Sequence, residues 1–191
     1  MNTKLTFSEQ EISILKSMIG KRFDKFKCDP FVYSPMVYGI VGIYIDGVAY
    51  KLTSLFESVK RFFSTDDVAT FRIKQVEDSE IKTYMDNGEL LETPISSRIV
   101  AIDIITDHQI VEHAEDSQSL DCSIGVIFHL EDSREISFEI KTWFSEMITV
   151  EKGYALIKKF ASVDGFLEEW EGCDGYSAKC KREIIHIAKE E

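Results

Sequence analysis

The sequence predicts an α+β fold: a mainly antiparallel sheet of about six to eight strands, built from hairpins, with N- and C-terminal helices packed on it. Three observations carry this expectation. Alternating or β-branched segments follow one another across short acidic turns, a capping box opens a helix near the N-terminus, and helical spacing returns briefly after Ser54 and again after residue 150. With 191 residues, 44% of them hydrophobic, the chain can bury a sizeable core, and a single domain spanning residues 1–191 is expected.

The first element is a helix from Ser8. Ser8 and Glu11 form the S-x-x-E box, Phe7 and Ile12 occupy the two positions of a hydrophobic staple, Leu15, Met18 and Ile19 continue the apolar face, and Gly20 ends it. Residues 37–45 are almost all β-branched, aromatic or glycine. Asp46-Gly47 then separates them from residues 48–53, which reads as a hairpin with a type I′ turn. The first strand is apolar on both faces and should lie inside a covered sheet. Ser54 and Glu57 repeat the capping spacing before Leu55, Phe56, Val59, Phe62 and Phe63, so a short helix is expected there.

Residues 70–77 read as a strand, and residues 80–93 as a second hairpin around Asp86-Asn87-Gly88. In residues 98–106, Ile99, Ala101 and Asp103 share one face and Val100, Ile102 and Ile104 the other, with Asp103 on the more polar side. Residues 122–130 and 134–142 bracket Glu131-Asp132-Ser133 as a third hairpin, with Ile136, Phe138 and Ile140 facing one way. A helix is expected over residues 151–161, a helical turn around Phe166 and Trp170 after Asp164-Gly165, and a closing strand over residues 181–188, where Ile184, Ile185 and Ile187 are β-branched. The expected core includes Ile12, Leu15, Val41, Ile43, Ile45, Phe71, Ile73, Ile102, Ile104, Val126, Phe128, Ile136, Phe138, Ile140, Leu156, Phe160 and Trp170.

Net charge is −12, but its placement says more than its size. Residues 77–121 hold twelve Asp and Glu against Lys82 and Arg98, whereas residues 1–30 carry six basic and four acidic side chains and residues 179–191 four and three. The central field repels a phosphate backbone, so nucleic acid is an unfavoured partner, while a basic protein surface is attracted. Residues 21–27 interleave Lys21, Arg22, Lys25 and Lys27 with Phe23 and Phe26; inward phenylalanines and outward cations explain the pattern without a ligand. The four cysteines form no C-x-x-C pair and favour a reducing compartment. No signal-peptide core or membrane span is legible, and a cytoplasmic location is expected.

The sequence shows no P-loop, dinucleotide fingerprint, nucleophile elbow, HExxH pair or EF-hand loop, and no cofactor is expected. The nearest metal constellation is Asp103, Asp107, His108, Glu112 and His113, with Asp103, Asp107, His108 and His113 the first suspects, but isoleucines among these residues favour strands that would spread the donors. A thiol nucleophile would need Cys122 beside His129 or His113; seven positions along one strand separate Cys122 from His129, which puts them on opposite faces. The expected function is therefore a non-catalytic binding protein, inhibitor- or immunity-like in its electrostatics, presenting Asp103, Asp107, Glu112, Glu115 and Asp116 to a basic protein partner. Two other readings stand beside it: a carboxylate/His metal-assisted hydrolase, and a module that self-associates through Trp143-Phe144 or Phe62-Phe63.

Overall fold

The computed structural model describes residues 2–30, 35–83 and 88–189, and strand accounts for 62% of the fold. The elements run β1 (Asn2–Leu5), α1 (Glu9–Met18), β2 (Arg22–Cys28), β3 (Met36–Tyr38), β4 (Ile40–Ile45), β5 (Val48–Arg61), β6 (Ser64–Val76), β7 (Leu91–His113), β8 (Asp116–Leu130), β9 (Glu135–Ile140), β10 (Met147–Gly153), α2 (Asp164–Trp170) and β11 (Tyr176–Ala188). Short 3-10 turns at Asp78–Glu80 and Leu156–Lys159 interrupt the connections. The eleven strands form one hydrogen-bonded system in the order β3-β10-β9-β8-β7-β2-β4-β5-β6, with β1 added to β8 and β11 to β7. All pairings are antiparallel except β1 with β8.

β7 is the hinge of this topology. Along one edge it pairs with β8 from Ile99 to His113; along the other it pairs first with β2, through Leu91 to Arg98, and then with β11, through Ala101 to His113. The change of partner coincides with a bulge between Ile99 and Ala101. Such an extra residue bends and twists a strand, which lets β2, β4, β5 and β6 fold back over β8 and β9. Edge-on ring contacts join the layers, Phe23 to Phe128 at 5.2 Å and Phe26 to Phe138 at 5.8 Å. The bulge also corrects the expected alternation, because Val100 is turned out to solvent while Ile99, Ile102 and Ile104 enter the core.

The capping box at Ser8 forms as expected and does more than start a helix. Glu11 accepts from the Ser8 N–H at 2.8 Å with one oxygen and from the Ile73 N–H at 2.9 Å with the other. It thereby satisfies a buried donor on the edge of β6 that β5 does not pair. Asp46 and Gly47 both take positive φ, as a type I′ turn requires, and β4 lies between β2 and β5 as its two apolar faces imply.

Two expected helices do not form: one is strand throughout and the other is part strand, part 3-10 turn. Residues 54–61 continue β5, paired with β6 as far as Arg61 opposite Ser64. Ser54 and Glu57 have capping spacing, but pairing across a long hairpin outweighs this weak local signal. Residues 151–153 finish β10; Gly153 at φ 152° and Ala155 in the left-handed region at φ 51° then break helical continuation before the 3-10 turn. Strand β6 begins at Ser64 rather than residue 70, and β3 is cut from β4 at Gly39, whose φ is 44°. Asp86 and Asn87 of the expected second hairpin lie outside the described residues. Of the expected core, all but Ile12 and Trp170 are buried, and those two are half-buried.

Candidate functional site

The acidic residues singled out from the sequence lie along β7 and the turn that follows it, and most are answered from within the fold. β11 runs antiparallel to β7, which brings Arg182 opposite Asp107 and Lys179 within reach of Glu112. Arg182 faces Asp107 and donates to both carboxylate oxygens, at 2.7 and 2.8 Å. Lys179 reaches both oxygens of Glu112, holding that carboxyl below its ordinary range. His108 sits between Asp121 and Glu183, each at 3.0 Å, and these hydrogen bonds raise its pKa. Glu115 and Asp116 remain exposed at the β7–β8 turn. Similarly, Lys25 pairs with Glu92 and Lys27 with Asp78, while Phe23 and Phe26 are fully buried, so the basic run is locked into the fold.

The metal set Asp103, Asp107, His108 and His113 does not converge. On a strand, positions 103 and 113 are about 33 Å apart, and His113 is stacked on Tyr176 with ring centroids at 4.1 Å. Cys122 stands opposite Asp107 and His113 opposite Asp116, so thiol and imidazole lie six residues apart along the ladder. Burial pushes the Cys122 thiol up, keeping it protonated and a poor nucleophile.

Asp103 instead collects two histidines from neighbouring strands. His129 Nε2 on β8 lies 2.8 Å from Oδ2, and His186 Nδ1 on β11 lies 2.6 Å from Oδ1. Burial raises the Asp103 pKa, but the two imidazole hydrogen bonds outweigh it and leave the carboxyl lowered; the same contact raises His129. The partners are 26 and 83 residues from Asp103. Strand parity could place His186 in a closing strand, but only the register brings it opposite Asp103.

A concave site lies beside this row, between β7, β8, the β9–β10 loop and α2. The cavity holds about 250 Å³ and is walled mainly by apolar side chains, among them Val68, Leu120, Ile124, Ile140 and Phe166, with Trp143 and Phe144 also lining it. Asp107 and Arg182 put an ion pair into its lining. Residues 161–163 form part of the wall and are pinned at Ala161, whose N–H donates to Glu139 at 2.6 Å and whose carbonyl accepts from Arg182 at 2.7 Å.

Trp143 is held by Glu169 and Arg61. Its Nε1 donates to Glu169 at 2.7 Å, the other oxygen of Glu169 takes Arg61 at 2.6 Å, and the Arg61 guanidinium lies 3.9 Å from the Trp143 ring centroid. Phe62, at the β5–β6 turn with φ 53°, packs on Phe166 and Trp170 of α2 at 5.7 and 5.5 Å. A bulky side chain takes left-handed backbone only when packing compensates for the strain. Here the turn bolts the β5–β6 hairpin to the helix behind the cavity. Phe62 is thus buried and Trp143 half-buried, leaving Phe63, 37% exposed, and Phe144, 62% exposed, as the open aromatics of the pairs noted in the sequence.

No family model, curated protein or solved structure matches this chain in comparisons with known proteins. Among the described residues, no helix is long and apolar enough to cross a membrane.

Proposed function

We propose that this chain is a binding protein whose ligand is a small, largely apolar or aromatic molecule taken into the cavity between β7, β8 and α2. The observation that carries the reading is the concave apolar site itself, with a few converging polar groups and a fixed aromatic wall. Binding sites for small molecules have this composition, although about 250 Å³ is below their usual volume and favours a compact ligand. Trp143 is oriented before any ligand arrives, which lowers the ordering cost of binding. The protonated Cys122 thiol in the wall suits recognition better than covalent chemistry.

The earlier electrostatic reading, a basic protein docking on an acidic face, now rests on less surface. Asp103, Asp107 and Glu112 have partners inside the fold, so Glu115 and Asp116 are the members of that set left to meet a cation. With this reading we propose that residues 1–191 form a single domain and that the protein works in the cytoplasm.

The test is titration of the protein with the fluorescent apolar probe anilinonaphthalene sulfonate, followed by competition with a panel of compact aromatic compounds. Phe144→Ala removes the exposed rim, and Val163→Phe, at a half-buried lining position, narrows the cavity. We expect saturable binding in the parent and about tenfold weaker binding in each variant, roughly the 1–2 kcal/mol of an aromatic contact. Equal probe affinity in all three proteins removes the cavity from consideration.

A further inference from the structure

We propose that Asp103, His129 and His186 form a binding site for one divalent transition-metal ion of the zinc class. The carboxylate and imidazole donor atoms of these three residues all lie within 4.8 Å of one another. They come from three adjacent strands rather than from one flexible loop. His186 stands directly opposite Asp103 on β11; on β8, Ile127 stands opposite Asp103 and His129 lies two residues further on, so the pleat turns all three side chains to one face. Rigid strands hold donor geometry better than loops do.

The donor set is selective. Two imidazole nitrogens and one carboxylate oxygen suit zinc, iron, copper or nickel better than magnesium or calcium, which prefer all-oxygen shells. Three protein ligands also leave a fourth position for water or a small anion. His186 is the solvent-facing member, with its side chain 60% exposed, whereas Asp103 and His129 are largely covered at 14% and 26%. The ion would therefore be reached from the His186 side.

A supporting group stands behind His129. Glu135 Oε1 lies 3.5 Å from His129 Nδ1, while its Oε2 is already engaged by the Leu156 N–H at 2.6 Å. A carboxylate behind a ligating imidazole directs the proton to the far nitrogen and leaves Nε2, the atom facing Asp103, free to coordinate. The Asp103 contacts of 2.6 and 2.8 Å would open to about 3.3 Å around a tetrahedral ion with ligand bonds near 2.0–2.1 Å. Small side-chain rotations supply that difference. The inference is independent of the cavity, which has its own lining and its own probe.

The experiment uses the full chain, stripped with a chelator and dialysed, then titrated with Zn(II) by calorimetry and with Co(II) by visible absorption. The variants are His186→Ala, Asp103→Asn and Glu135→Gln, with His108→Ala as a control outside the triad and circular dichroism to verify the fold. We expect one ion per chain, a Co(II) spectrum without thiolate charge transfer, unchanged binding in His108→Ala, and about tenfold weaker binding in Glu135→Gln. Loss in His186→Ala with an intact fold completes the case, since that residue is too exposed to be needed for folding. Absence of stoichiometric binding, a thiolate band, or affinity retained in His186→Ala each overturns the proposal.

Discussion

Asp107 and Arg182 stand directly opposite each other on β7 and β11, joined by two parallel hydrogen bonds of 2.7 and 2.8 Å. Side-chain exposures of 8% and 19% place the pair mostly out of water. Removing one member strands the other charge. Arg182→Met is expected to destabilise the protein by about 3 kcal/mol, and pairing it with Asp107→Asn should recover much of that loss. Urea unfolding of the two single variants and the double variant measures the coupling; additive losses would show that the two bonds contribute little as a unit.

Gly125 leaves a slot on β8 into which Phe160 packs. A methyl group there would meet the Phe160 ring at 2.5 Å and the Phe138 carbonyl oxygen at 2.7 Å. Because one neighbour is backbone, the clash cannot be relieved by a side-chain rotation alone. Gly125→Ala should cost about 2 kcal/mol by overpacking, read as a lower urea midpoint, and combining it with Phe160→Leu should cost less than the sum.

Glu11 serves a helix start and a sheet edge with one carboxylate. Ser8→Ala loses only the cap, about 1 kcal/mol. Glu11→Ala also orphans the buried Ile73 N–H and is expected to cost roughly 2 kcal/mol or more. Hydrogen exchange should show the Ile73 amide losing protection in Glu11→Ala and keeping it in Ser8→Ala.

The raised pKa of His108, caused first by Asp121 and then by Glu183, makes a stability term with a definite sign. A histidine that binds its proton more tightly when folded contributes fully below its unfolded pKa of about 6.5. That contribution fades as pH rises through the elevated folded value. Parent protein should therefore lose melting temperature as pH rises above about 6.5 more steeply than His108→Asn, by a small margin because the side chain is 35% exposed. Parallel curves would show that the contacts do not favour the charged ring.

The hairpins were legible because their signals are local: Asp46-Gly47 demands its turn, and Ile136, Phe138 and Ile140 alternate inward as their spacing implies. The helix expected over residues 54–63 gives way because a full ladder of pairs outweighs a capping pattern, and that over residues 151–161 is cut short by the positive φ of Gly153 and Ala155. Of the candidate site, Asp103 was visible but its partners were not. His129 and His186 join it only through the registers of β8 and β11 against β7, and register is a property of the assembled sheet. The cavity was hidden for the same reason, being lined from segments as far apart in sequence as Val68 and Arg182.

The parallel pairing of β1 with β8 sets Asn2–Leu5 against Ser119, Leu120, Asp121 and Cys122. During synthesis, the first strand must wait for more than a hundred residues before its partner leaves the ribosome. β11 then completes the long central strand still later. Assembly of this chain is therefore expected to be slow for its size, because distant segments must meet before their contacts can repay the lost chain freedom. Until then the nascent β1 is an unpaired strand, the segment for which a holdase-type chaperone would have most use.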